Sequence, residues 1–538
     1  MGSKTPNLTD TQSKILALRD EAYTGYTDTK ADFSYLERGY MSIIDEGTRT
    51  SLRLRRKSTV QPMLIKPKSD AVRKDILRAF FSSDSFADIK AETVGDPNDE
   101  RTAEVLADEL KDYVRESTLY LKTKTTLEPV LVYGTAIVKV WFNPTINNVV
   151  YEDVKLNSFY FDRGAPNANA STYFVQRSTS MTIAQLKKQY PKANIDWASH
   201  VGDSMDVQDS LPADAAIGDY QRPELVEVYR LKASKWYVST LLGDEFLRTD
   251  KVLKDGHPFI FPQTSRQFVG IEETPVRAYG GSFISDMIPV QTEYVIRRNQ
   301  QIDAIDAALN VKLLVNKNSG LREQDVNSTR KLVTVQNLAD VKELPLPNIN
   351  PAIFDVDKLE QEAEAISSVS KYSQGLGSDQ NKSKTKGEAQ ILDARGSAVS
   401  EDLNRSLNET FFRPLAMRII MLIYKYKRSE RFADVDRTKP MRQRVTIDVG
   451  TGSTNKEIKL QNIDEAIGAS NMVMDMALKI QDLPRATQYM GVADELFRVK
   501  LKLLGQINIL EKMEDSDDMV QQGQEQQQML PPQQEGMI

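Results

Sequence analysis

Asp286–Leu309 reads DMIPVQTEYVIRRNQQIDAIDAAL. Asp286 and Pro289 suit a helix start. Val295, Arg298, Ile302, Ile305 and Leu309 then fall on one stripe at helical spacing. Glu293 stands one turn before Arg297, the favourable order for an ion pair on the solvated side. A helix over this stretch spans roughly 35 Å at ~1.5 Å per residue. Beyond Leu309 the texture changes. Val311–Val315 and Lys331–Val335 read as strands with a polar loop between them, and Pro345 and Pro347 close the unit. A second helix is predicted over Val356–Lys371, with Leu359, Ala363, Ile366 and Val369 on one face. One helix leads into a small α/β unit and another leads out, the outline of a stalk with a tip.

The same reading extends outward. Gln374–Thr385 (QGLGSDQNKSKT) is a polar, glycine-containing loop that ends in a capping box, Thr385 with Glu388. The helix beginning there is predicted to reach Lys427, interrupted by Gly396 and Pro414. Proline lacks the backbone donor and crowds the preceding turn, so a kink is expected at Pro414. Upstream, 10–130 reads as helices, and Arg101–Tyr120 places Val105, Leu106, Leu110, Tyr113 and Val114 at helical spacing. Residues 130–270 are β-rich: Ala136–Phe142, Val149–Val154, Tyr173–Arg177, then Glu224–Leu231 and Trp236–Leu241 about a Lys232–Lys235 turn. Ser204–Asp219 is an acidic loop of small residues. Near the other end come a strand at Arg444–Val449, a turn at Gly450–Thr454 and helices over 456–510. The glutamine-rich Asp515–Ile538 is expected to be disordered in isolation. The predicted class is α+β, mainly helical.

Composition narrows the chemistry. The 538 residues contain no cysteine, which removes disulfides, thiolate nucleophiles and cysteine-ligated metals. The only histidines are His200 and His257, little material for a two-histidine metal site or a serine triad. A net charge of −6 argues against a polybasic nucleic-acid binder. Contact with DNA would have to be local or deliberately weak. Met1–Lys14 has no apolar core of a secretion signal, and Ile419–Tyr424, the densest apolar run, is too short to span a bilayer. No membrane association and no cofactor are expected.

Several segments, in order, resemble portal proteins of short-tailed phages. Val130–Trp141 (VLVYGTAIVKVW) resembles their helix-to-strand passage, and Ser158–Asp162 (SFYFD) is similar to a recurrent portal segment, with Arg163 where proline is common. Tyr173–Pro191, Tyr279–Ser282 (YGGS), Thr385–Gln390 (TKGEAQ) and Val449–Gly452 (VGTG) continue the series, Lys386–Gly387 replacing the usual small residues. The resemblance covers roughly 120–470. It implies a wing over 1–279, stem helices at 280–310 and 351–373, and a clip over 311–350 between them. A tunnel loop at 374–386, a long kinked wing helix at 387–440, a crown over 441–512 and a tail at 513–538 complete the implied plan. It also implies a dodecameric ring at one capsid vertex of the virion, assembled in the host cytoplasm. Its implied partners are double-stranded DNA, the major capsid protein, the terminase and a head–tail adaptor. The implied role is conduit and docking platform, not enzyme.

By the same resemblance Asn381, Lys382, Ser383, Lys384 and Lys386 line the channel, where flexible donors suit sequence-blind contact with phosphates. A polar loop before any helix would look similar. Lys312, Lys317, Arg322, Arg330 and Lys331 would grip DNA in the clip or pair with an acidic adaptor. Asp303, Asp306, Asp355, Asp357, Glu360, Glu362 and Glu364 make an acidic wall that lets DNA slide, or simply complement helix dipoles and face water. The basic run Arg49, Arg53, Arg55, Arg56 and Lys57 touches DNA or the motor, bridges to a neighbour, or is solvated. Gly450–Lys456 fails the phosphate-loop pattern and reads as a turn. The remaining alternatives are another virion structural protein and a metal-dependent nucleic-acid enzyme built on carboxylates.

Overall fold

The computed structural model describes residues 9–24, 26–55, 57–81, 86–92, 96–193, 195, 197, 220–265, 278–309, 313–315, 341–343, 355–369, 401–433, 435–437, 441, 443–447, 453–479 and 483–504. The helices are α1 (Asp10–Thr24), α2 (Thr27–Tyr40), α3 (Glu46–Leu54), α4 (Ile65–Phe80), α5 (Pro97–Glu116), α6 (Leu119–Tyr133), α7 (Ile183–Gln189), α8 (Ile288–Leu309), α9 (Asp357–Ser367), α10 (Arg413–Tyr426), α11 (Ser453–Lys479) and α12 (Leu483–Leu504). The strands are β1 (Asp88–Lys90), β2 (Ile137–Asn143), β3 (Asn148–Val154), β4 (Phe159–Phe161), β5 (Tyr173–Ser178), β6 (Leu225–Lys232), β7 (Lys235–Leu242), β8 (Glu245–Leu253), β9 (Phe259–Ile260), β10 (Leu313–Val315), β11 (Val341–Glu343) and β12 (Arg444–Thr446). Among these residues helix predominates over strand, as the periodicities predict. Two compact units emerge: Met1–Lys74 with Leu121–Leu415, and Asp75–Tyr120 with Ala416–Ile538.

The first unit holds a five-stranded antiparallel sheet in the order β4-β5-β6-β7-β8 and a three-stranded sheet in the order β3-β2-β9. Its core is aromatic. Phe159 and Phe161 of SFYFD pack with Phe174, Phe259, Phe261 and Tyr279. Tyr160, between the two phenylalanines, points the other way and meets Tyr23 and Tyr26. A strand buried on both faces explains why this motif shows no polar alternation. Asp162 then holds the turn, its carboxylate accepting from Gly164 N (3.1 Å), Thr172 N (3.1 Å) and Thr172 Oγ1 (2.6 Å). His257 lies between β8 and β9 with its ring against Phe174 and Trp236.

The Lys232–Lys235 turn forms as predicted. Ala233 and Ser234 both have positive φ, 49° and 62°, the geometry that matches the twist of a tight hairpin. Beyond the predicted strand pair lies β8. Two facing polar side chains sit within this unit, Lys139 of β2 and Glu227 of β6, with Nζ and Oε2 2.6 Å apart.

In the second unit α5 buries Val105, Leu106, Leu110 and Tyr113, the predicted stripe, while Val114 is half-buried. Asp96 caps it by accepting from Asn98 N, with Pro97 at the first helical position. Glu109 is buried on the same helix and meets Lys427 Nζ at 2.6 Å and Ser429 Oγ at 2.6 Å. Burial pushes its carboxyl up, but those hydrogen bonds and the charges of Lys427 and Arg431 hold it below the usual range. β1 pairs antiparallel with β12, Ile89 opposite Val445. The helices expected over 456–510 are α11 and α12.

Helical residues 401–407 continue through a π-turn, Asn408–Phe412, into α10. The wide turn falls where the ring of Pro414 would otherwise crowd the Thr410 carbonyl, so the proline is accommodated by an extra residue in the turn. Phe411, Phe412, Leu415, Ile419 and Leu422 are buried along this stretch, and Tyr426 is 38% exposed.

Candidate functional site

The long helix α8 begins at a backbone junction. The glycines of VLVYGTAIVKVW and YGGS meet there. Gly134 has φ +77°, and a Cβ on it would press into the carbonyl oxygens of Gly280 and Gly281. A Cβ on Gly280 would press into the carbonyls of Gly134 and Ser265. Hydrogen bonds close the contact: Gly280 N donates to Thr135 Oγ1 (2.6 Å), Thr264 Oγ1 to the Gly281 carbonyl (2.5 Å), Ser282 Oγ to the Val132 carbonyl (2.6 Å) and Phe283 N to the Leu131 carbonyl (3.1 Å). A short 3-10 turn, Ser285–Met287, leads directly into α8. Ile288 then packs on Gly39 of α2, where any side chain would collide with it.

The next turns of α8 carry a strap. Residues 57–64 run extended along the helix. Gln291 Oε1 accepts from Leu64 N (2.6 Å) and Ile65 N (3.1 Å), and its Nε2 donates to the Pro62 carbonyl (2.7 Å) and Ser42 Oγ (3.1 Å). Asn299 both accepts from Val60 N and donates to the Val60 carbonyl, each at 2.8 Å. Asp303 accepts from Ser58 N at 2.7 Å and lies 3.6 Å from Lys57 Nζ. Polar groups buried in this way need partners. An extended chain exposes its backbone groups at regular intervals, and the amides on α8 meet them.

α9 packs against the first half of α8. Val290, Leu359 and Ala363 form a small core with Leu64 and Tyr294. Tyr294 OH donates to Glu360 (3.2 Å), and Lys68 Nζ to the Val369 carbonyl (3.0 Å). Between the helices, β10 and β11 pair antiparallel, Leu313 opposite Glu343. The helix, strand pair and helix therefore occur in the predicted order. The observed partner of β10 is Val341–Glu343, whereas the predicted Lys331–Val335 lies outside the described residues. The expected Glu293–Arg297 ion pair is present at 2.5 Å.

The acids read as one wall have different roles. Asp303 holds the strap, Glu360 meets Tyr294, and Asp355 pairs with Lys358 at 3.3 Å. Asp357 and Glu362 remain exposed. Within the basic run, Lys57 faces Asp303, Arg49 lies 3.7 Å from Glu46, and Arg53 and Arg55 are exposed. Asn381, Lys382, Ser383, Lys384, Lys386, Lys312, Lys317, Arg322, Arg330 and Lys331 lie outside the described residues, as do Arg56, the Thr385 cap, Ser204–Asp219 and Asp515–Ile538. Sequence reading missed the strap. Its amides, Gln291 and Asn299, carry no periodic signal.

The family model described as the phage SU10 portal protein matches residues 143–536. The chain belongs to this portal family. No curated protein matches it. The portal match runs from the end of β2 to beyond α12, so it takes in α8, the strand pair and α9. Portal proteins are structural components of the virion. Among the described residues of this portal chain no helix is long and apolar enough to cross a membrane, and no group of three or more candidate ligands gathers to hold a metal.

Proposed function

We propose that the chain is one subunit of a closed, dodecameric ring at a single capsid vertex, the conduit for genome packaging and ejection. The observation that carries this is the portal-family match across the helix, strand pair and helix. In this reading 1–279 is the wing, and 280–310 and 351–373 form the stem. The clip is 311–350, the tunnel loop 374–386, the long wing helix 387–440, the crown 441–512 and the tail 513–538. The exposed acids Asp357 and Glu362 suit a wall along which phosphates slide. Lys382, Lys384 and Lys386, with Asn381 and Ser383, would touch the DNA backbone in passing. Lys312, Lys317, Arg322, Arg330 and Lys331 would meet DNA or an acidic head–tail adaptor. The terminase and the major capsid protein are the other partners, and ATP hydrolysis belongs to the terminase.

Electron microscopy and native mass spectrometry of the purified chain are the direct test. Closed rings with an axial channel are expected, and a protein that stays monomeric at every concentration would overturn the reading. The loop has its own test. Lys382, Lys384 and Lys386 changed together to Glu should leave rings intact and lower the DNA content of particles. Normal DNA content would remove the loop from the conduit.

A further inference from the structure

Residues 43–61, α3 and the start of the strap, form a flap over α8, and one side chain holds both of its roots. Gln291, only 2% exposed, donates to Ser42 Oγ (3.1 Å) on one side and to the Pro62 carbonyl (2.7 Å) on the other. Ser42 Oγ donates to the same carbonyl at 2.9 Å. Between the roots little is packed. α3 buries no residue, and Leu54 and Val60 are 82% and 48% exposed. A cleft of about 500 Å³ is lined by Leu52 of α3 and Val295 of α8. The far edge is held by polar contacts, Val60 to Asn299, and Ser58 and Lys57 to Asp303. Few buried apolar contacts mark a segment that opens more readily than the core beneath it.

The flap is also where positive charge is densest. From Arg49 to Lys57 five of nine residues are basic and none is acidic. Two of the five face acids: Arg49 lies 3.7 Å from Glu46 and Lys57 3.6 Å from Asp303. Arg53 and Arg55 are exposed and are not part of the cleft wall, whose charged residues are Arg38, Asp45 and Asp303. The cleft therefore offers no cationic site, and the outer side of the flap does. Like charges crowded on one short helix repel one another, and an anionic partner relieves the repulsion. The chain as a whole carries −6 and does not draw polyanions by its net charge, so such an attraction is local to the flap.

We propose that the outer side of this flap is a contact for the phosphate backbone of duplex DNA, made by Arg53 and Arg55, with Lys57 held in reserve by Asp303. Guanidinium groups pair with phosphate oxygens through charge-assisted hydrogen bonds. Contacts of that kind position DNA without reading its bases, as a sequence-blind contact requires. The choice of DNA over another polyanion rests on the proposed conduit, whereas the cationic contact rests on the flap itself.

Anisotropy of a fluorescent mixed-sequence duplex titrated with the full chain over a salt series is the test. Each phosphate contact adds about 0.9 to the slope of log affinity against log salt, so Arg53→Gln/Arg55→Gln should flatten the slope by about 1.8. The affinity of that variant should fall at least tenfold, with circular dichroism and ring formation unchanged. Asp303→Asn keeps an acceptor for Ser58 N and releases Lys57, so its affinity should rise at least threefold. Asp10→Asn makes the same change of charge and frees Lys14, 2.8 Å away and off the flap, and should bind as the parent does. A parent slope in Arg53→Gln/Arg55→Gln would overturn the flap contact, whether or not rings form. No rise in Asp303→Asn, or an equal rise in Asp10→Asn, would overturn the reserve role of Lys57. Polyglutamate bound through Arg53 and Arg55 by a chain that ignores duplex would overturn DNA as the partner in favour of an acidic protein. Absence of rings from the unmodified chain would overturn the conduit and leave the salt slope to decide the flap.

Discussion

Gly134→Ala is expected to lower the urea midpoint of the purified chain sharply and to leave little folded protein at 37 °C. The residue has φ +77°, a conformation that costs an L-residue about 1–2 kcal/mol. The added methyl would also press into the carbonyl oxygens of Gly280 and Gly281. Both obstacles are backbone, so no side chain can swing aside, and overpacking of this kind costs about 1–3 kcal/mol more. The sum, roughly 2–5 kcal/mol, is a large part of the ~5–15 kcal/mol that holds a typical domain. The damage would fall where the chain turns into α8, so ring formation should fail with folding. Gly164→Ala is the control. A Cβ there meets only Asp162 Oδ1 at an ordinary 3.7 Å, and the change should stay within about 0.5 kcal/mol. A Gly134→Ala midpoint equal to that of the control would mean that the junction yields easily.

That junction also shows what a linear reading can and cannot reach. The segments VLVYGTAIVKVW and YGGS stand out singly by resemblance, but nothing in either says that they touch. Their glycines are informative only together, because the close approach belongs to a pair of chain segments. α8 and α9 were legible because apolar residues recur at the helical period, and β5 to β7 because each is a short run rich in apolar, β-branched and aromatic residues. β8 was not. It is the edge of its sheet, Leu247 is its one buried residue, and Asp250 within it has positive φ. An edge strand with one buried side chain has little alternation to read. Asp303 had seemed to be part of an acidic face, yet its carboxylate is occupied by Ser58 N. A helical wheel places a side chain on a face and is blind to an extended segment lying over that face. The lysine of VLVYGTAIVKVW lies in a segment that stands out by resemblance, but nothing in that segment points to its partner, eighty-eight residues later.

That lysine is the site of the second large effect. Lys139 Nζ lies 2.6 Å from Glu227 Oε2 and 3.0 Å from Gln176 Oε1, and Tyr229 OH donates to the same Glu227 oxygen at 2.8 Å. Rings of Trp141, Tyr229 and Phe259 surround the ammonium, and each partner of the pair is only 16% exposed. Burial pushes the Glu227 carboxyl up, but the charge and hydrogen bond of Lys139, with help from Tyr229 and Arg248, hold it below the usual range. Burial pushes Lys139 down, and Glu227 more than reverses this, raising it well above an ordinary lysine. The two groups therefore respond at opposite ends of the pH range. The contribution of Glu227 is present above the ordinary glutamate value of 4.5 and is lost as pH falls through its lower folded value. The contribution of Lys139 is present below 10.5 and is lost only as pH rises through its higher folded value. Neighbouring Glu152 acts in the opposite sense to Glu227. Its carboxyl is raised mainly by burial, so it favours the folded state as pH falls. Lys139→Met would strand the Glu227 charge among aromatic rings, and removing one member of a buried pair costs about 3–5 kcal/mol. Without its lysine Glu227 prefers to be protonated, so the deficit of Lys139→Met relative to the parent should shrink as pH is lowered from 8 toward 5. The double change Lys139→Met/Glu227→Leu should recover most of the loss, because no charge is then left without a partner. A double-mutant cycle by urea unfolding at pH 7 reads the coupling directly. Singles that each cost under about 1 kcal/mol, or a double as unstable as the sum of the singles, would show that the pair is solvated and contributes little.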